Sequence, residues 1–359
     1  MTLRELRDEI DRVDREIVRL LNQRAHLARQ IGRIKRELGE DEPVYRPERE
    51  AQVYAQVESW SEGELPPEAL RAIYREILSA SRAVQRPLRV GYLGPVATFT
   101  YEAARRHFGS SAILVPCRTI GDVFAETQRQ TVDFGVVPVE NSTEGAVTHT
   151  LDGFLEFDVK ICAEIELPVS HNLLARGRLE DITRVYSHPQ ALAQCRQWLS
   201  ERLPHAVQIE TASTAQAAEM ITDTTSAAIA TEAASDLYGI PIIARRIEDV
   251  STNVTRFLVI GPRMSEPSGH DRTAIVFAVQ NRTGALHEAL RWLAENDVNL
   301  TRIESRPTRR RLWEYVFFVD LDGHPNDPNV ARALEGLGRS CSFLRVLGAW
   351  PVTSPAVRV

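Results

Sequence analysis

The chain has 359 residues, 43% of them hydrophobic and 26% charged, a size that calls for two or three hydrophobic cores rather than one. Its net charge of -6 speaks against a general nucleic-acid binder, and no run approaches the roughly 18 apolar residues of a membrane span. Arg4, Glu5, Arg7 and Asp8 interrupt any apolar start, so no signal peptide is expected, and the scattered Cys117, Cys162, Cys195 and Cys341 lack zinc spacing and read as buried, reduced thiols.

Over residues 1–86, Leu3, Leu6, Ile10, Val13, Ile17, Leu20, Leu27, Ile31, Ile34 and Leu38 step by threes, fours and one seven. That is a heptad-like helical stripe, too long for its own segment to cover, so a partner helix is expected. Shorter helices are expected around Pro47–Glu58 and Pro67–Gln85. Arg24 stands where the stripe calls for an apolar side chain, and Lys35 lies eleven residues on, near the same side. Two readings stand: a solvated coiled-coil flank, or cations on a seam waiting for an anion.

Gln85-Arg86-Pro87 reads as a linker. Strand and helix signals then alternate, with Leu88–Leu93 a strand, followed by Ala112–Pro116, Ile120–Gln130, Phe134–Val139 and Ala146–Phe157. A second alternating block spans Thr183–Gly239, and the chain returns through Ile242–Arg246 and Thr255–Ile260. This is an α/β pattern with two lobes and a cleft. Asn141-Ser142-Thr143, Ser187-His188-Pro189 and Ser213-Thr214 are expected at strand-to-helix junctions, where they serve either as plain caps or as anion-binding helix starts.

Met264–His270 is a polar linker. Beyond it come a strand (Thr273–Gln280), a helix (Ala285–Asn296), strands at Val298–Glu304 and Trp313–Leu321, a helix (Val330–Leu337) and a strand (Leu344–Trp350). That β-α-β-β-α-β order is ferredoxin-like.

Val139-Glu140-Asn141-Ser142-Thr143, Tyr186-Ser187-His188-Pro189-Gln190 and Asn253-Val254-Thr255-Arg256-Phe257 occur in the order found in prephenate dehydratases. With the helical segment before them and the α+β segment after, nearly the whole chain resembles the bifunctional chorismate mutase–prephenate dehydratase family. The resemblance implies a multidomain protein: an all-α chorismate mutase domain over 1–86, a two-lobed α/β, periplasmic-binding-protein-like dehydratase domain over 88–263, and a ferredoxin-like ACT domain over 272–352. It implies a cytoplasmic homodimer or higher homo-oligomer acting on chorismate and prephenate with phenylalanine as effector, and neither cofactor nor metal.

In the mutase, the resemblance gives Lys35, Gln85 and Glu50 catalytic roles. It gives Arg24, Arg49 and Ser81 to chorismate binding, and Arg7 to the partner's site. The reaction is a pericyclic rearrangement, so such a site needs only to clamp a dicarboxylate in its folded conformer and stabilise the ether oxygen. In the dehydratase, Thr255 is the implied donor to the departing hydroxyl. Thr98, Glu140, Asn141, Ser142, Thr143, Ser187, His188, Gln190, Arg256 and Phe257 complete the implied pocket, with Arg256 fixing a carboxylate or the loop and Phe257 packing against the substrate ring or anchoring its strand. In the ACT domain, Gly284, Ala285 and Leu286 with Glu304, Ser305 and Arg306 are the implied phenylalanine-binding segments.

Two departures from the family pattern matter. Arg46 stands where some members have Asp, and Ala97 replaces a glycine in Gly94–Thr100. Rival readings are an arogenate dehydratase of the same architecture, a non-catalytic small-anion binder, and a mutase domain reduced to a dimerisation module. The survival of Arg7, Arg24, Lys35, Arg49, Glu50 and Gln85 argues against the last.

Overall fold

A computed structural model describes residues 1–38, 43–250, 252–307 and 315–352. The first segment holds α1 (Leu3–Leu38), α2 (Pro47–Ser59) and α3 (Pro67–Ala83). α2 and α3 each begin on a proline, whose fixed φ and missing N–H suit the first helical turn. α1 packs along α3 near its C-terminal end, while Leu6, Ile10, Val13, Ile17, Leu20, Leu27, Ile31 and Ile34 remain roughly half exposed.

The middle segment continues with β1 (Arg89–Leu93), α4 (Phe99–Phe108), β2 (Ile113–Cys117), α5 (Ile120–Gln128), β3 (Phe134–Asn141), β4 (Gly145–Ala146), α6 (Thr148–Glu156) and β5 (Lys160–Pro168). A second block follows: β6 (Asn172–Ala175), β7 (Arg184–Ser187), α7 (Pro189–Gln194), α8 (Arg196–Arg202), β8 (Val207–Glu210), α9 (Thr214–Glu219), β9 (Ser226–Ala230), α10 (Glu232–Tyr238) and β10 (Ile242–Ala244). β11 (Val254–Gly261) then returns to the first block. The last segment is β12 (Asp271–Ala278), α11 (Ala285–Ala294), β13 (Leu300–Pro307), β14 (Tyr315–Asp322), α12 (Pro328–Ser340) and β15 (Phe343–Pro351). The first two residues of the strand expected from Trp313 lie outside the described residues, as does the Leu38 side chain.

Among the described residues, one sheet runs β13-β14-β12-β15-β5-β11-β3-β1-β2, with β4 beside β3, and a separate sheet runs β10-β6-β9-β7-β8. The large sheet crosses from the middle segment into the last through a parallel contact of β15 with β5 at Gly348 and Ile161. A Cβ at Gly348 would lie 2.1 Å from the Ile161 carbonyl oxygen, so only glycine permits this approach. Val136 and Val137 on β3 face opposite cores, as expected of a strand buried on both sides. One core joins Phe124, Leu151 and Leu258 to Val276, Phe318 and Trp350 of the last segment.

The two lobes meet at paired crossings. Val169 N–H donates to the Asn253 carbonyl at 2.8 Å, and Ile247 N–H to the His171 carbonyl at 2.8 Å. Residues 99–108 and 160–168 carry no clear helix or strand signal in the sequence. α4 and β5 both form there, α4 because Thr98 caps it by accepting from Tyr101 N–H at 3.3 Å. Asn141-Ser142-Thr143 is not a helix start: it ends β3 and turns into β4, and α6 begins after Val147 without a side-chain cap. His188 and Ser213 do cap α7 and α9.

Candidate active sites

In the helical segment, Arg24 of α1 donates to the Ser81 hydroxyl of α3, which in turn donates to the Ile77 carbonyl at 2.6 Å. Gln85 packs against Gly32, where a Cβ would meet its Cγ at 3.0 Å. Lys35 is half-buried on α1, while Arg7 and Arg49 are exposed, Arg49 donating to Gln52 at 3.1 Å. The structure therefore brings Arg24, Ser81 and Glu50 to adjoining faces of α1, α3 and α2, with Gln85 just past the end of α3, and leaves Arg7 about five turns from Arg24 along α1. Glu50 is ion-paired to Arg82, a residue the sequence reading passed over. Burial pushes the Glu50 carboxyl up, against the pull of Arg82 and Arg24. Arg46, in the place where some relatives have Asp, pairs with Glu48 at 2.7 Å.

In the middle segment, Thr255 on β11 lies opposite Asn141 on β3. The Asn141 amide donates to the Thr255 hydroxyl at 2.8 Å and to the Asn253 side-chain oxygen at 2.7 Å. Its own oxygen accepts from Thr143 N–H at 3.0 Å, the Thr143 hydroxyl at 2.6 Å and Glu144 N–H at 3.2 Å, which fixes the orientation of the amide. Asn253 donates to Gln194 at 2.9 Å, and His171 lies 2.8 Å from the same Gln194 oxygen. Burial holds the His171 imidazole below its ordinary range, against the pull of Gln194 and Glu248. Among the described residues the Thr255 hydroxyl donates to nothing, and its proton is free for a bound molecule. Asn253 and His171 have no role assigned from the sequence, although Asn253 stands inside the motif.

Other expected pocket residues are placed differently. Ser187 is buried and donates to the Ile229 carbonyl at 2.7 Å, while His188 accepts from Gln190 N–H at 3.3 Å. The Thr98 hydroxyl is turned inward to the Leu93 and Pro95 carbonyls, each at 3.1 Å. Ser142 holds β11 by accepting from Val254 N–H at 3.0 Å. Phe257 is 1% exposed in the core with Tyr92, Val136 and Phe108, so it anchors its strand instead of presenting a ring to the cleft.

Arg256 and Glu140 require a correction as well. One residue from Thr255, and so on the opposite face of β11, Arg256 turns away from the cleft. It pairs with Glu164 on β5 and with Asp320 on β14 at 2.7 Å, and approaches Glu140 to 3.8 Å. Glu140 takes Arg302 of β13 at 2.8 Å, and Glu164 takes Arg272 of β12 at 3.1 Å and the Trp350 indole at 2.9 Å. Three cations and three anions thus interlock at the junction of the middle and last segments. Against the cost of burial, Asp320 and Glu164 push the Arg256 guanidinium up, and the arginines hold Glu164 down. Arg306 belongs to the same junction: it is buried and pairs with Asp152 of α6 at 2.7 Å.

In the last segment, Gly284 precedes α11 at a φ of +81°, in the left-handed region. Beside it the backbone is open, the nearest atom to a Cβ being the Glu288 carboxylate at 3.8 Å. Ala285 is buried, Leu286 and Glu304 are half-buried, and Ser305 is exposed.

Comparison with known proteins places three enzyme and regulatory modules on this framework. The chorismate mutase type II model matches residues 6–86, the prephenate dehydratase model 90–265 and the ACT domain model 273–339. A bifunctional chorismate mutase/prephenate dehydratase of Aquifex aeolicus is 48% identical over 355 residues, 97% of this chain and 98% of its own. The prephenate dehydratase of Arthrobacter aurescens, solved in complex with L-Phe, is 36% identical with a TM-score of 0.69, covering 75% of this chain and 92% of that one. GqqA, a quorum quenching acylase, also superposes with a TM-score of 0.69 at 30% identity, over 75% of this chain and all of its own. The chain belongs to the bifunctional chorismate mutase/prephenate dehydratase family.

Proposed function

We infer that this chain converts chorismate to prephenate in its helical segment and prephenate to phenylpyruvate in its two-lobed segment, as a phenylalanine-regulated enzyme of phenylalanine biosynthesis. The observation that carries the second activity is the Asn141–Thr255 bond. In the dehydration, the bond from the ring to the carboxylate breaks and its electrons enter the aromatising ring. The ring C–O bond breaks in turn, and the departing hydroxide takes a proton to become water. Aromatisation drives the step, so the enzyme has chiefly to orient the ring and meet the leaving oxygen. Thr255 is suited to that task because its oxygen is already occupied by the Asn141 amide and its proton is unspent. Donation from Asn141 also makes the hydroxyl a better hydrogen-bond donor.

The mutase step breaks a C–O bond and forms a C–C bond in one cyclic movement of electrons, without an acid, a base or a nucleophile. Arg24 and Lys35 supply positive charge for the carboxylates and the ether oxygen, Gln85 a neutral donor and Glu50 an acceptor for the ring hydroxyl. We further propose that Arg7 enters this site from a second copy of the chain, whose α1 covers the exposed stripe. Gly284, with its accessible backbone, and Glu304 are proposed to receive the carboxylate and the ammonium of phenylalanine.

The test is to supply chorismate, prephenate and arogenate separately to the purified protein and follow product with and without phenylalanine. Phenylpyruvate from chorismate and prephenate, suppressed by phenylalanine, is expected. Product from arogenate alone would replace the dehydratase assignment, and product from prephenate but not chorismate would remove the mutase assignment.

A further inference from the structure

Arg82 is a buried cation that the proposed reaction does not use and that the fold holds on several sides. It is 5% exposed, on α3, next to Ser81 of the mutase cluster. One nitrogen donates to the Glu50 carboxylate. The other donates at 2.6 Å to the carbonyl of Phe108, the last residue of α4, in the dehydratase segment. That carbonyl is among those left unpaired at a helix C-terminus, where a cation is favoured. The guanidinium carbon stands 5.6 Å from the centroid of Tyr45, whose ring is buried against Phe108 and Phe134. A buried arginine restrained on three sides has little freedom to swing away, and neither does the carboxylate it holds.

We propose that Arg82 is a positioning residue of the mutase reaction: it orients Glu50 and supplies its counter-charge, and its own position is set by the dehydratase segment through the end of α4. The proposal rests on the assignment of Glu50 to the mutase site. Other charged or titratable groups acting on Glu50 are Arg24 from α1, Glu48 and Tyr54 from its own helix, and Tyr45 from the segment just before that helix. Arg24 is itself directed to Ser81, which leaves Arg82 as the cation bonded to the carboxylate. Without it, burial would act on Glu50 with less opposition, and the acceptor would be protonated at a higher pH. At the other end, Gly109 follows α4 at a φ of +76°, and a Cβ there would meet the Ser79 Cβ at 2.5 Å. The end of α4 therefore sits against α3 at a distance that only glycine allows.

The experiment is a pH profile of mutase turnover in the full chain for wild type, Arg82→Met, Arg82→Lys and Gly109→Ala, with dehydratase turnover measured on each preparation. Arg82→Met is expected to lower mutase kcat roughly 10–100-fold near neutrality. Its acid limb should move up by about one pH unit, so that part of the loss is recovered in alkali. Arg82→Lys, which keeps the charge, should leave the limb near its wild-type place. Gly109→Ala should lower mutase turnover more than dehydratase turnover, although residue 109 lies outside the mutase segment. An unmoved acid limb in Arg82→Met, or an equal fall of both activities, would overturn the positioning role. Unchanged mutase turnover in Gly109→Ala would overturn the anchor.

Should Arg82→Met not fold, the double variant Glu50→Gln/Arg82→Lys serves: with no ionisable carboxyl to position, the lysine should cost nothing beyond Glu50→Gln alone, and an additive loss overturns the proposal. Mutase turnover that survives Glu50→Gln or Lys35→Ala undiminished would instead remove the site assignment beneath it.

Discussion

Thr255 is by itself a feeble acid, and the bonds around it decide what it can do. Asn141→Ala would remove the amide that occupies its oxygen and loosen the link to Asn253 and Gln194. Both Thr255→Val and Asn141→Ala are therefore expected to lower dehydratase kcat by about 10²–10⁴-fold and to leave mutase turnover unchanged, which separate assays on prephenate and chorismate check. His107 carries a different prediction. Half-buried and 2.5 Å from the Tyr45 hydroxyl, its imidazole is lowered from 6.5 to about 3, first by desolvation and then by Arg82. The unfolded chain binds that proton near 6.5 and the folded chain only near 3. The stability present above about pH 6.5 is thus lost progressively as the pH falls toward 3. His107→Gln should flatten this acid limb in a plot of Tm against pH. Thr255 and Asn141 could be picked out from their motifs, but the network that joins them could not: Asn141 and Asn253 are 112 residues apart, and only the strand register brings them together.

At the scale of elements, the alternation that marked strands and helices worked where one face was apolar and failed where both were occupied. Lys160–Pro168 mixes Lys160, Glu164 and Glu166 with apolar residues, which hid a central strand, because Glu164 is held half-buried only by the two arginines brought to it from β11 and β12 and by the Trp350 indole of β15. The same register explains Arg256. A one-residue step along β11 separates the cleft face from the junction face, and a linear motif does not say which residue falls on which. Asp320→Asn would leave Arg256 buried with one counter-charge fewer, at a cost of about 3–5 kcal/mol if nothing rearranges. Gly348→Ala should force β15 from β5. Both variants are expected to lower Tm and weaken phenylalanine inhibition, with dehydratase turnover in the absence of phenylalanine nearer to wild type; inhibition curves on prephenate test this.

For the whole molecule, the periodicity of the first forty residues announced a long helix with an unmet stripe, and a single copy of the chain does leave that stripe open. α1 has 36 residues, about 54 Å at 1.5 Å per residue, so a second α1 laid along it would bury a seam far longer than α3 covers. Sedimentation should give at least twice the 40.3 kDa of one chain. Ile17→Glu should shift the protein toward that single mass and abolish mutase turnover while the dehydratase persists. What the sequence did not reveal is how closely the segments are joined: a linker composition at 264–270 suggested an independent module, yet β12 and β15 extend the dehydratase sheet. That junction encloses Trp350, fully buried, its indole donating to the Glu164 carboxylate amid the arginines. The seam consequently carries its own optical probe: any loosening between catalyst and sensor would admit water to the indole and redden its emission, and the change would vanish in Trp350→Phe.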